Sequence, residues 1–212
     1  MTLTDYLKSL LKPEIFLKSL GPFALAGVFF VIFAESGLFF GFFLPGDSLL
    51  FTAGLLSSQG YLNFPLLAIL SFIAAASGDN VGYWFGHKVG PKIFAREDSF
   101  LFKKHHLIEA QNFYQKHGSK TIVLARFVPF VRTFAPIVAG AANMNYQTFM
   151  TFNLIGALLW SVGIASLGYF LGNIPFVKTH YEAVIFLIIA ASLLPVIIHL
   201  FQSRINKNSS IR

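Results

Sequence analysis

Five ionisable side chains lie in segments that are otherwise apolar, and they are the first residues to which chemistry can be assigned. They are three acids and two arginines, namely Glu35, Asp47, Asp79, Arg126 and Arg132. On membrane-insertion scales each charge costs about 2.5–3.5 kcal/mol at the centre of an apolar helix. Four of them would cost about 10 kcal/mol, comparable with the stability of a whole domain. We therefore expect these side chains to pair, to be hydrated or to face a cavity.

The two arginines and two of the acids suit different chemistry. The planar fork of arginine forms bidentate hydrogen bonds, so Arg126 and Arg132 in one segment can clamp a phosphate. Glu35 and Asp47, in an earlier segment, are predicted to bind substrate with the arginines and to couple its movement to protons. The two groups are expected to meet near the middle of a membrane.

Most of these charges also have a simpler structural explanation. Asp47 follows a Pro-Gly pair and could cap a returning helix, which explains it as well as a function does. Asp79 is expected near the cytoplasmic end of its span, where a structural bond to backbone or lysine is favoured. The arginines could serve only as counter-ions, although two in one segment favour phosphate binding. No capping role is expected for Glu35, which favours function.

The composition indicates a protein that crosses a membrane several times. Of its 212 residues, 55% are hydrophobic and 12% are charged, whereas soluble domains carry roughly 25% charged residues. Charge is absent from 48–78, 133–177 and 183–203, and each block exceeds the ~20 residues that a spanning helix needs. There is no cysteine, which excludes disulfide and thiol chemistry.

The order of apolar and polar segments predicts an all-α polytopic membrane protein with about three to four full spans and amphipathic surface helices. Residues 1–19 are predicted to form an interfacial helix, 20–172 a membrane domain, and 173–212 a last span with a basic tail. Spans are expected at about 20–35, 62–86, 146–171 and 181–202. A basic loop, 87–120, divides the membrane domain.

Two apolar segments, about 36–57 and 121–143, are too broken to cross a bilayer and are predicted to be re-entrant hairpins. Pro45 and Gly46 interrupt the first, and Pro129 interrupts the second, with a further interruption at Pro136. We assign these four residues and Asp79 to structural or hinge roles.

The two halves resemble each other, and the basic residues orient them. Ala53-Gly54 and Ala139-Gly140 are 86 residues apart, as are Gly82-Tyr83 and Gly168-Tyr169. If both termini and the 87–120 loop are cytoplasmic, that side holds 13 of the 16 Lys and Arg residues, as the positive-inside rule requires. The hairpins then enter from opposite sides and face each other, which is the inverted-repeat architecture of many transporters.

Several motifs in this order form one long pattern. They are Glu35-Ser-Gly37, Pro45-Gly46-Asp47, Gly78-Asp79-Asn-Val-Gly82-Tyr83-Trp-Phe-Gly86 and Arg126-Phe-Val-Pro129-Phe-Val-Arg132-Thr133, followed by Pro136, Ala139-Gly140, Met144, Phe149, Asn153, Gly156-Ala157 and Trp160. Over about residues 20–172 the pattern resembles the DedA family, whose membrane domain is shared with eukaryotic lipid scramblases.

This resemblance implies a bacterial inner-membrane protein with two facing hairpins. Members of the family are linked to flipping undecaprenyl phosphate, or to moving phospholipids such as phosphatidylethanolamine, and proton coupling is inferred for them. Residues that match Glu35, Asp47, Arg126 and Arg132 are the family's functional set. The identity of the lipid rests on the resemblance alone.

We therefore expect a flippase or scramblase whose partners are phosphate-bearing membrane lipids and protons. A proton-coupled antiporter of a small solute or cation is the alternative. An enzyme, such as a membrane-bound lipid phosphatase, is disfavoured because no nucleophile or metal set accompanies the arginines. No cofactor, metal ion or nucleic acid is expected, and homo-oligomer formation is left open. Asn153 and Trp160 are most simply packing and interface residues.

Overall fold

The computed structural model describes residues 13–38, 41, 44–94, 120–175 and 177, and its regular elements there are all helical. The helices are α1 (Pro13–Leu20), α2 (Ala24–Gly37), α3 (Gly46–Ser58), α4 (Phe64–Phe94), α5 (Lys120–Ala125), α6 (Pro129–Ala141), α7 (Tyr146–Ala157) and α8 (Gly163–Leu171). A 3₁₀ turn, Gly21–Phe23, joins α1 to α2, and a π-helical turn, Leu158–Val162, joins α7 to α8. Residues 1–12 of the predicted interfacial segment 1–19, most of the basic loop and the predicted last span with its tail lie outside the described residues.

Three continuous helical stretches are long and apolar enough to cross a membrane by length and composition. They are Pro13–Gly37, Phe64–Gly90 and Tyr146–Leu171, of 25, 27 and 26 residues. At a rise of about 1.5 Å per residue, each exceeds the ~30 Å hydrocarbon layer. Their outward faces carry exposed aromatic residues such as Phe30 and Phe170. The prediction of an all-α membrane protein with several spans is thus confirmed for the described residues.

Both predicted breaks are present, but one predicted interruption is wrong. Helix α2 ends at Gly37 and α3 begins at Gly46, while α5 ends at Ala125 and α6 begins at Pro129. Helix α6 continues through Pro136 without a break. A proline removes only its own backbone donor, and the contact of Pro136 with α4 at Gly82 helps to hold the remaining turns in place. The re-entrant placement and inverted topology stay predictions.

The two helices after the breaks pack against helices of the opposite half, α3 on α8 and α6 on α4. A methyl group at Gly54 of α3 would lie 3.0 Å from the backbone nitrogen of Tyr169 in α8. One at Gly140 of α6 would lie 2.8 Å from the backbone nitrogen of His87 in α4. Because only glycine permits this approach, the glycines at the 86-residue spacing mark two related helix crossings.

The apolar core lies where these crossings meet. Ile32 of α2, Leu50 of α3, Leu67 of α4 and Trp160 of the π-helical turn are buried in one cluster. This core fixes the end of α2 and the start of α3 relative to α4 and the π-helical turn, because protein interiors are closely packed. Glu35 and Asp47 lie at these two helix ends.

Candidate functional site

Arg132 lies in the first turn of α6 and joins both acids of the first broken segment. Its Nη1 donates a hydrogen bond of 2.8 Å to Oδ1 of Asp47, and its Nη2 donates to Oε1 of Glu35. The Arg132 and Glu35 side chains are buried, whereas that of Asp47 is 18% exposed. The expected meeting of the two broken segments through their charges is confirmed for Arg132.

Glu35 also binds the backbone at the start of α3. Its Oε1 accepts a hydrogen bond of 3.2 Å from the N–H of Gly46, the first residue of that helix. The expectation that Glu35 has no capping role is therefore wrong, because this N–H is one of the donors that a helix start leaves free. A side chain at Gly46 would collide with the Glu35 carboxylate. Gly46 thus permits close approach rather than merely breaking a helix.

Asp47 does not cap α3 with its side chain. The N-cap residue is Pro45, and no side-chain hydrogen bond caps the helix there. The Asp47 carboxylate lies in the first turn, where the helix dipole favours a negative charge. Its Oδ1 accepts from Arg132 and, at 2.9 Å, from Nε1 of Trp160. Because these contacts bridge three elements, capping alone does not account for Asp47.

Trp160 completes this group. The guanidinium carbon of Arg132 lies 4.6 Å from the centroid of the Trp160 ring, within the range of a cation–π contact. Trp160 is buried and belongs to a π-helical turn, a feature found frequently at functional sites. Its assignment to packing alone is too narrow. We call Glu35, Asp47, Arg132 and Trp160 the Arg132 cluster.

Arg126 pairs with a different acid from the one expected. Its Nη2 donates to Asp79 of α4, to Oδ1 of Asn153 at 2.6 Å, and to the carbonyl of Ala75 at 3.3 Å. Asn153 donates in turn to the carbonyl of Ala76 at 3.0 Å. We call Asp79, Arg126 and Asn153 the Arg126 cluster. The expectation that both arginines pair with the first broken segment is wrong for Arg126.

Asp79 lies near the middle of its helix rather than near its end, so that prediction is also wrong. Its apolar stretch runs from Phe64 to Gly90, and Asp79 is buried inside it. Arg126 can reach this depth because α5 ends at Ala125, directly before the arginine. The predicted structural bond of Asp79 exists, but its partner is an arginine and not backbone or lysine.

A cavity of about 240 Å³ lies between the two clusters. Asp47 and Trp160 line it from the Arg132 cluster and Arg126 lines it from the other. The remaining wall is apolar and consists of Phe51, Phe127, Ile164, Leu167 and Leu171. Leu167 and Phe127 are more than half exposed at the surface of the bundle. The arrangement places polar groups from both clusters beside an apolar wall that is partly exposed at the surface.

The buried charges retain unused hydrogen-bonding atoms. Among the described residues, Oε2 of Glu35 and Nε of both Arg126 and Arg132 have no hydrogen-bond partner. Buried polar atoms without partners are costly and uncommon in folded proteins. Each cluster therefore retains hydrogen-bonding capacity that its protein contacts do not use.

The predicted hinge residues have distinct positions in this geometry. Pro45 precedes the first turn of α3, and Pro129 is the first residue of α6, where its missing N–H is not needed. Pro136 lies inside α6. Pro45 and Pro129 therefore set where α3 and α6, the helices that carry Asp47 and Arg132 in their first turns, begin.

Comparison with known proteins gives one consistent family. Residues 44–170 match the model of the VTT domain. Protein DedA of Escherichia coli is 45% identical over 186 residues, which cover 87% of this chain and 85% of that protein. An uncharacterised membrane protein of Mycobacterium leprae is 45% identical over 168 residues, covering 79% and 75%. Inner membrane protein YqjA of Escherichia coli is 35% identical over 174 residues, covering 82% and 78%. No solved structure matches the chain.

Proposed function

The chain belongs to the DedA family of VTT-domain membrane proteins, and from that premise we propose that it moves phosphate-bearing lipid across a bacterial inner membrane. The candidate lipids are undecaprenyl phosphate and phospholipids such as phosphatidylethanolamine. The observation that carries the proposal is the cavity between the two arginine clusters. It combines Arg126 and Asp47 with an apolar wall that reaches the side of the bundle.

The shape of the cavity suits a headgroup that enters sideways from the bilayer. Phe127 and Leu167 are exposed at its edge, so a lipid tail can stay in hydrocarbon while its phosphate reaches the polar groups. Phosphate is well matched to guanidinium groups. The first turns of α3 and α6 add helix dipoles that favour an anion.

The acids of the Arg132 cluster make proton coupling part of the proposal. With every group ionised, Glu35 and Asp47 carry two negative charges against one positive charge on Arg132. An incoming phosphate would add further negative charge to a cluster that is already anionic. Protonation of Glu35 or Asp47 removes that conflict and releases a guanidinium N–H for the phosphate. One proton taken up would thus accompany each exchange of partners, and the alternate states would differ in these contacts.

The same net charge supports the alternative function. A cluster with one excess negative charge and an unpartnered Glu35 oxygen also suits the binding of a proton or a small cation. An antiporter of a small solute would use these acids in the same way but would not need the forked geometry of the arginines. The alternative therefore differs from the proposal in what Arg126 and Arg132 must do.

Purified protein in liposomes tests the proposal. Labelled undecaprenyl phosphate, labelled phosphatidylethanolamine and a soluble cation are supplied in parallel, and movement across the bilayer is measured with and without a pH gradient. We expect at least one phosphate-bearing lipid to move faster than in empty liposomes. Movement of the cation without either lipid would replace the proposal with the antiporter.

The proposed orientation has its own test. Cysteines at positions 103 and 209, introduced into a chain without native cysteine, should react with impermeant reagents only from the cytoplasm. A cysteine at position 178 should react only from outside. Labelling of position 103 from outside would contradict cytoplasmic termini and the inverted arrangement of the hairpins.

A further inference from the structure

The Asp47 carboxylate occupies a place built for an anionic oxygen. Two donors from different elements converge on its Oδ1, namely Nη1 of Arg132 at 2.8 Å and the indole N–H of Trp160 at 2.9 Å. Asp47 is also the most exposed acid of the cluster and lines the cavity. A guanidinium and an indole that already hold one anionic oxygen can hold another of the same chemistry.

Trp160 is placed to meet a ligand in this cavity, because its side chain forms part of the cavity wall. Its ring packs on the guanidinium of Arg132, and its N–H can only donate a hydrogen bond. The N–H of a buried tryptophan usually finds a hydrogen-bond partner, and here that partner is a partly exposed carboxylate that lines the cavity.

We infer that Trp160 is a phosphate ligand, whose indole N–H binds the phosphate oxygen that replaces Asp47 on Arg132. The inference rests on the proposed function and names a further residue that holds the lipid phosphate. Asp47 holds the site in the absence of the lipid and leaves it when the phosphate arrives. Trp160 then donates to the phosphate directly, together with Arg132.

Equilibrium binding to the full-length protein in detergent tests this inference. The probes are a short-chain phosphatidic acid, the matching diacylglycerol without phosphate, and inorganic phosphate. Trp160→Phe keeps an aromatic ring beside Arg132 and removes the N–H together with the rest of the five-membered ring of the indole, and the diacylglycerol probe controls for that loss of packing. Because a hydrogen bond to a charged group contributes about 1.5–3 kcal/mol, we expect phosphatidic acid to bind about tenfold more weakly or worse. Diacylglycerol binding should not change, and Trp84→Phe, on the exposed face of α4, is the matched control.

The inorganic phosphate arm separates a lipid headgroup from free phosphate. The apolar wall at Phe127 and Leu167 contacts only a lipid, so inorganic phosphate should bind far more weakly than phosphatidic acid. Equal affinity for the two probes would overturn the assignment of the site to a lipid headgroup.

A double-mutant cycle distinguishes a ligand from a residue that only positions Asp47. Asp47→Ala leaves Arg132 paired with Glu35, so no buried charge is left alone. If Trp160 binds the phosphate, Trp160→Phe weakens phosphatidic acid binding equally in the presence and absence of the Asp47 side chain. If Trp160 acts only through Asp47, the effect disappears in the Asp47→Ala protein, and the inference is wrong.

Fluorescence gives a second readout, because Trp84 and Trp160 are the two tryptophans of the chain. In the Trp84→Phe protein all tryptophan emission comes from Trp160, and phosphatidic acid should change it saturably while diacylglycerol should not. Emission could stay unchanged although phosphatidic acid binds and its binding requires Arg132. That result would overturn the role of Trp160 and leave the proposed function standing. Absence of phosphatidic acid binding in the parent protein would count against both.

Discussion

Arg126 and Arg132 are both buried, but their surroundings differ in a way that separates a fixed contact from an exchangeable one. Arg126 is held by one carboxylate, one amide and one carbonyl, all on the long helices α4 and α7. Arg132 is held by two carboxylates, one at the end of α2 and one at the start of α3, on either side of the break between these helices. Asp47, one of those two, is partly exposed to the cavity.

This difference indicates separate contributions to lipid movement. With Asp79 and Arg126 both ionised, the Arg126 cluster has no net charge. It joins α4 to α7, so it keeps the guanidinium of Arg126 at the cavity wall in a fixed position. The Arg132 cluster carries one excess negative charge, and its contacts can be exchanged for those of a phosphate. The comparison predicts that changes to Asp79 and Asn153, the partners of Arg126, chiefly alter stability, whereas changes among the acids of the Arg132 cluster chiefly alter transport.

The largest loss of stability is expected from Asp79→Ala. The substitution leaves the Arg126 guanidinium buried without its counter-ion, which should lower the free energy of unfolding by about 3–5 kcal/mol. Unfolding in detergent, followed by circular dichroism, measures the effect. The double variant Asp79→Leu with Arg126→Met is the control, because removing both charges of a buried pair is often neutral. An Asp79→Ala protein as stable as its parent would show that this pair is not a fixed contact.

A smaller loss of stability is expected from Asn153→Ala. Arg126 keeps Asp79 and the carbonyl of Ala75, but loses the hydrogen bond from Nη2 to the Asn153 amide. A buried polar group that loses one partner costs about 1–3 kcal/mol. Lipid movement by the folded fraction should be nearly unchanged in liposomes. Full stability combined with abolished transport would place Asn153 in the transport step and weaken the contrast between the clusters.

The smallest effect on stability, with the clearest effect on transport, is expected from Glu35→Gln and Asp47→Asn. Each variant keeps an oxygen acceptor for Arg132 and leaves one carboxylate as its counter-ion. The free energy of unfolding should therefore fall by only about 1 kcal/mol, the typical contribution of one hydrogen bond. Transport should be lost or should no longer depend on pH, because the titrating group is gone. Full activity of Asp47→Asn with an unchanged pH profile would exclude a proton-coupling role for Asp47.

The sequence predicted the composition of the site better than its pairing. The breaks before Gly46 and Pro129 and the pairing of all five charges follow from single residues in apolar segments, where the cost of an unpaired charge is large. The partner of Arg126 could not be predicted, because it depends on how deeply α5 enters the bundle before it ends. The capping of Gly46 by Glu35 depends in the same way on the length of the turn between α2 and α3.

Asn153 and Trp160 show why polar residues of apolar helices need the tertiary structure for their assignment. From the sequence alone, each could face lipid or pack inside the bundle. Only the packing of the helices brings their side chains to the arginines. The available signals for Asn153 were its amide within the charge-free block 133–177 and its place in the motif pattern. For Pro136 the sequence was misleading in the other direction. A proline predicts a helix break, but the packing of Pro136 on α4 outweighs that tendency and α6 continues.

The central claim is that the two arginines hold a lipid phosphate rather than serve as positive charges alone, and Arg→Lys substitution in liposomes tests it most directly. Lysine keeps the charge that Asp79, Glu35 and Asp47 require but lacks the planar fork. Arg126→Lys and Arg132→Lys should insert at near-normal levels and move phosphate-bearing lipid poorly, with a smaller defect for any substrate without phosphate. Transport of phosphate-bearing lipid at the parent rate by both variants would contradict the claim and favour the antiporter.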